Sequence, residues 1–156
     1  MTAAVALVLW CLSCLLYLEP PRTGQSYAPL ACEVALGATD PLPYPWDTQH
    51  KTAALLMAVA WHESRFVVDA HSPPSDPVCS HGYWQTPCAE PANVEVAMRL
   101  LRHSLVTCGD LTEYVSGECG KAPQTAKARE VLALRLLDVF DGKTKPVARL
   151  RGMVRP

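Results

Sequence analysis

The hydrophobic positions along this chain fall into five stretches, each of helical length or helical spacing. Thr2 to Leu18 carries no charge and is almost wholly apolar. Ala28 to Leu36 fits a short helix containing Cys32. Ala53 to Trp61 is nearly all apolar, so a helix over Thr48–Phe66 is hydrophobic all round and belongs inside a core. Val94, Val96, Ala97, Leu100, Leu101 and Leu105 recur at helical spacing, which predicts a helix over Asn93–Val106 packed on the central one. Gly109 lies just beyond it, as a C-terminal stop should. A short helix from Asp110 then delivers Tyr114. Leu132, Leu136 and Phe140, with their apolar neighbours, predict a last helix over Thr125–Phe140. The fold class is mainly α, a helical bundle with a small loop or hairpin.

The breakers between these stretches set the organisation. Pro20 and Pro21 end the first segment, because neither can continue a helix. Pro41, Pro43 and Pro45 alternate and call for extended backbone. Asp47 is placed to cap the central helix, and Ser72 to Pro77 must be an irregular loop. Three parts result. Residues 1–22 read as a signal peptide or N-terminal membrane anchor. Against that, no Lys or Arg precedes the apolar run and no small-x-small cleavage site follows it. Leu12-Ser13-Cys14 only partly matches a lipoprotein cleavage box. The alternative is a buried N-terminal helix of the domain. Residues 23–141 form the domain. Residues 142–156 read as a basic flexible tail, with Lys143, Lys145, Arg149, Arg151 and Arg155 and no acid.

The net charge of −1 over 156 residues gives no argument for a nucleic-acid partner. The candidate chemistry therefore rests on particular residues. Glu63 stands at the end of the apolar central helix, and an ionised carboxylate there needs either a partner or a purpose. Arg65 or a loop amide would be the ordinary partner. His62-Glu63 begins a zinc-protease helix motif, but that motif needs a second histidine where Phe66 stands. Further on, Tyr83 and Trp84 beside Gln85 are core aromatics or a stacking platform for a sugar. Gly82 permits a tight turn and close backbone approach.

Glu63-Ser64-x-Phe66, then Gly82-x-x-Gln85-Thr86, then Tyr114-x-x-Gly117, in that order and spacing, resembles the soluble lytic transglycosylase family of lysozyme-like, peptidoglycan-cleaving enzymes. The likeness runs from about Thr48 to Gln124. Glu90-Pro-Ala-Asn-Val94 is similar to a further family segment. One departure is Val115, where the family has an asparagine near the bound sugar; Ser116 or Glu118 are the nearby substitutes. The resemblance implies an α+β lysozyme-like fold with the hairpin over a substrate cleft. It also implies cleavage of the β-1,4 bond between N-acetylmuramic acid and N-acetylglucosamine, with a 1,6-anhydro product. Glu63 would be the single acid and then base. A group in that role works best where burial favours its neutral form, which the apolar helix end would supply. Ser64, Gly82, Tyr83, Gln85, Tyr114 and Ser116 would bind the glycan, with no metal or organic cofactor. The partners implied are peptidoglycan strands and, by resemblance, a secretion, conjugation or phage apparatus. The location is the periplasm or cell envelope, with membrane contact only through residues 2–18. A hydrolytic muramidase needs a second carboxylate, for which Asp69 and Asp76 are the candidates. A non-catalytic peptidoglycan-binding module is the reading from a different class.

Four of the seven cysteines, Cys79, Cys88, Cys108 and Cys119, fall inside this region at loops or helix ends. In an exported domain they suggest two disulfides, with Cys79–Cys88 and Cys108–Cys119 favoured among three connectivities. Cys32 is left over. A metal site from Cys79, His81, Cys88 and His71 is the competing use, although its spacing matches no usual zinc pattern.

Overall fold

The computed structural model describes residues 2–76 and 78–140, so the basic tail lies outside the described residues. Six helices and a minimal hairpin follow in the order α1 (Ala3–Leu18), α2 (Ala28–Gly37), α3 (Gln49–Ser64), β1 (Ser80–His81), β2 (Thr86–Pro87), α4 (Val94–Cys108), α5 (Thr112–Ser116) and α6 (Pro123–Phe140). The mainly helical expectation is met.

Helix α3 is the axis of the domain. Its ten residues Thr52 to Trp61 are buried without a break. Helices α1, α2 and α6 pack around it, α6 most extensively. Full burial of Leu55, Leu56, Met57 and Val59 contributes about 1.5–3 kcal/mol for each side chain. Thr52 is the polar exception. Its hydroxyl accepts from Leu42 N at 2.9 Å and donates to Trp46 O at 2.7 Å, which pins the incoming loop to the helix. That loop is not simply extended, as the alternating prolines predict. It turns at Pro43, whose carbonyl accepts from Trp46 N, and its Tyr44–Pro45 bond is cis.

Two ends of α3 differ from expectation. The N-cap is Thr48, whose extended backbone (φ −127°, ψ 159°) lets its hydroxyl accept from Lys51 N. Asp47 sits one residue too early and instead pairs with the Lys51 ammonium at 2.9 Å. At the C-terminus the helix stops two residues short of Phe66. Arg65 and Phe66 both take positive φ, 52° and 61°, a conformation that costs a non-glycine residue about 1–2 kcal/mol. The reversal carries Phe66 inward, where it is fully buried against Tyr27 with ring centroids 5.4 Å apart.

Helix α1 also belongs to this core. Leu7, Cys11, Cys14 and Leu15 are buried, and α1 packs on α2 and α3. Trp10 meets the His50 ring edge-on at 4.9 Å. No helix among the described residues is long and apolar enough to cross a membrane. This packing is the arrangement that a buried N-terminal helix describes. Export remains a proposal, because a leader is defined by what a peptidase does to it.

At the other end of the chain, Asn93 caps α4 by accepting from Val96 N at 3.0 Å, and Gly109 ends it in the left-handed conformation, as expected. At the end of α2, a Cβ on Gly37 would lie 2.5 Å from Val94 Cγ2, so only glycine allows α2 and α4 to approach this closely.

Candidate functional site

The abrupt end of α3 is where the three distant motifs meet. Ser64 is in its last turn, and its hydroxyl lies 3.0 Å from Ala60 O and 2.9 Å from Tyr83 O. The hairpin turn is thereby tied to the helix that carries Glu63. Trp84 follows, buried, with its indole N–H donating to Leu56 O at 3.0 Å in mid-helix. Tyr114 arrives from α5 and donates its hydroxyl to Trp84 O at 2.5 Å. Burial pushes the Tyr114 phenol well above the ordinary tyrosine range; the Glu63 charge adds to the shift and Arg129 opposes it. Glu63, Trp84, Tyr114 and Arg129 therefore form one cluster.

Arg129 is the member that motif reading missed. From α6 its Nε and Nη2 both donate to Glu63 Oε1, at 3.0 and 2.6 Å, while Nη1 donates to Thr125 O at 2.6 Å. The Arg129 side chain is 8% exposed and that of Glu63 19%. The guanidinium gives the Glu63 carboxyl a charged hydrogen-bond partner inside the protein. Arg65, one of the two ordinary partners, points elsewhere, over the Trp61 ring and to Glu19 at 3.2 Å. A signal for Arg129 was present in the sequence. The buried stripe of α6 is Ala126, Arg129, Ala133 and Leu136. An arginine on the apolar face of a helix demands an acid across the interface.

The other proposed glycan-binding groups are engaged within the protein. Gln85 accepts from Ser80 Oγ and donates through Nε2 to Ala70 O and Gly82 O, bracing the hairpin from inside. Ser116 Oγ lies 2.7 Å from Thr112 O and close to the carbonyls of Glu118 and Lys121. Gly82 has φ 79°, and a Cβ there would lie 2.6 Å from Ala92 Cβ, so the approach it permits is to the lead-in of α4. Tyr83 is half-buried, packed edge-on against Trp84 at 5.7 Å. Val115 is partly buried against the core, and Glu118 is exposed near the Lys121 ammonium. Asp69 is exposed. Asp76 accepts from Val78 N and closes a turn.

His62 is half-buried with its ring edge-on to Trp61. Burial first, then the charges of Arg129 and Arg65, lower its pKa to about 4 against a weaker opposing bond with Ala128. It is therefore neutral at physiological pH.

Two disulfides frame the site. Cys79–Cys88 closes the hairpin, reinforced by Cys88 N donating to Cys79 O, and Cys108–Cys119 ties the end of α4 to the loop after α5. Both are the favoured pairings. They remove the competing metal site, since Cys79 and Cys88 are bonded to each other and cannot serve as thiolate ligands. The same holds for the grouping of Cys108, Glu113 and Cys119. His71 and His81 face each other across an isolated bridge with rings 6.0 Å apart, and His81 Nε2 contacts Glu90 O at 2.8 Å.

No family model, no curated protein and no solved structure matches this chain.

Proposed function

We propose that this is a lysozyme-like protein that acts on a polysaccharide through the cluster at the end of α3. Within that class, the reading supported best is a lytic transglycosylase cleaving the bond between N-acetylmuramic acid and N-acetylglucosamine. The observation that carries it is convergence. Three motifs separated by some twenty to thirty residues, at Glu63-Ser64, Gly82 to Thr86 and Tyr114 to Gly117, are joined by direct hydrogen bonds from Ser64 to Tyr83 and from Tyr114 to Trp84.

In this reading Glu63, carrying a proton, donates it to the glycosidic oxygen as the C1–O bond breaks. The resulting carboxylate takes the proton from the C6 hydroxyl, whose oxygen closes on C1 to give the 1,6-anhydro sugar. No water is consumed. Arg129 suits the end of the first step, because its two N–H groups stabilise the carboxylate left once the proton has been given up. The first half requires Glu63 to take up a proton and loosen that pair as the glycan binds.

A second reading is favoured by the same contact. A carboxylate held by a buried arginine, with Ser64, Gln85, Tyr114 and Ser116 each bonded elsewhere within the protein, is also what a purely structural site looks like. On that reading the protein is a non-catalytic peptidoglycan-binding module. Mass spectrometry of fragments released from purified peptidoglycan separates the possibilities. Fragments ending in 1,6-anhydro-muramic acid, lost in Glu63→Gln, are expected for the transglycosylase. Reducing-end fragments, heavier by one water, would mean hydrolysis and a second carboxylate. Binding without fragments would mean the module.

A further inference from the structure

Helix α1 is apolar on both of its sides. One side, Leu7, Cys11, Cys14 and Leu15, is buried in the domain. The other presents a stripe of Val5, Leu9 and Leu16 to solvent, with Leu12 partly buried at its edge. Val5, Leu9 and Leu16 are 48%, 49% and 49% exposed. A surface helix ordinarily turns charged residues outward, as α4 does with Arg99, Arg102 and His103. Between Thr2 and Leu18 there is no charge at all.

A second observation indicates what covers the stripe. Helix α6 ends at Phe140, whose ring lies 5.6 Å from Tyr17 and 6.4 Å from Trp10 of α1. The chain beyond it opens with Asp141, and residues 142–156 then carry five cations and no acidic residue. A polybasic segment is thus attached beside an uncharged, outward-facing apolar helix. Apolar insertion joined to basic charge is the pair of signals that holds a protein on an anionic lipid surface.

We propose that the outer face of α1 seats this domain on an anionic membrane, with α1 lying in the plane of the interface and residues 142–156 supplying electrostatic attraction. The helix stays packed on α2 and α3 while it does so. Its sixteen residues span about 24 Å, short of the roughly 30 Å apolar thickness of a bilayer. The proposal does not depend on the glycan-cleaving reading. If that reading also holds, the membrane would set the side of the wall from which strands are reached.

The test is flotation of the full chain with vesicles of phosphatidylcholine alone or mixed with phosphatidylglycerol. Two variants are compared, Leu9→Asp with Leu16→Asp, and the five tail cations (Lys143, Lys145, Arg149, Arg151, Arg155) all changed to Gln. Circular dichroism and intact disulfides confirm that each variant folds. Binding to the anionic vesicles is expected, weakened by added salt, with at least about a tenfold loss in each variant. Equal binding to neutral vesicles, or wild-type binding by the stripe variant, would overturn the proposal. So would resistance to alkaline extraction, which would mean α1 leaves the domain to span the bilayer. A lipid-independent dimer that the stripe variant converts to monomer, without vesicle binding by the wild type, would assign the face to a second copy.

Discussion

Replacing Arg129 with methionine tests whether the Glu63–Arg129 pair organises the site. The substitution keeps an unbranched apolar stem that reaches about as far as Nε, but removes both donors to Glu63 Oε1. Breaking one half of a buried ion pair costs about 3–5 kcal/mol, because the surviving charge is left without its partner. Glu63 retains 19% side-chain exposure and can recover some hydration, so the lower end, about 3 kcal/mol, is expected. With a urea m-value of about 2 kcal/mol/M for a domain of this size, the unfolding midpoint should fall by about 1.5 M at unchanged m. The corresponding loss in Tm is about 6–12 °C. Glu63→Leu combined with Arg129→Met removes both charges and should recover stability to within about 1 kcal/mol of wild type, an apolar pair in place of an ionic one. Urea unfolding of the four proteins, under conditions that keep both disulfides, gives the cycle. An Arg129→Met variant within about 0.5 kcal/mol of wild type would refute the reasoning. So would a double variant that loses the full sum of the two single effects.

Three further outcomes follow from the same geometry. His62 has a lowered pKa, so it contributes stability that is fully present above the unfolded value of 6.5 and is lost as pH falls toward about 4; urea midpoints measured across that window should fall less steeply in His62→Gln. Removing the Cys108–Cys119 bridge with two serines should cost about 3 kcal/mol from the loop it closes, read by urea unfolding beside non-reducing peptide mapping that shows Cys79–Cys88 intact. Tyr114→Phe deprives the Trp84 carbonyl of its hydroxyl donor and should cost about 1–3 kcal/mol in the same assay; a neutral result would mean the bond does not hold α5 to the hairpin.

The elements were largely legible because they follow from burial and caps. The uninterrupted apolar run in α3, the periodic stripe of α4, Asn93 at its start and Gly109 at its end are local signals, and each fell within a few residues of its expected place. The failures have local causes too. Asp47 and Thr48 are both good capping residues, and the backbone angle that chose Thr48 is set by the loop before it. Helix α3 ends before Phe66 because burying that ring outweighs two unfavourable left-handed residues. The disulfides were legible because each joins cysteines close in sequence, one pair across the hairpin and the other across α5. Motif reading placed Glu63 at a helix end and offered Arg65 or a loop amide as the ordinary partner, missing Arg129. Arg65 is near in sequence, whereas Arg129 is 66 residues away and is brought near only by the packing of α6 on α3.

That error bears on function more than any other. With Arg65 as partner, Glu63 would be a helix-end group free to face solvent and exchange protons. With Arg129, it is held from the buried side of α6 by a guanidinium that is itself fixed to Thr125 O. In the proposed chemistry a carboxyl so held must be released from Arg129 before it can donate a proton. A catalyst built on Glu63 therefore needs glycan binding itself to drive that release, for example by excluding water and placing sugar hydroxyls where the guanidinium can donate. A structural pair needs no such event, and no ligand would move it. The two readings diverge most sharply in Arg129→Lys, which keeps the charge but not the paired donors. Fragment release that falls steeply in a folded Arg129→Lys protein, with glycan binding retained, would tie the pair to the chemistry. Binding unchanged with no fragments from any form of the protein would place the pair in the architecture alone.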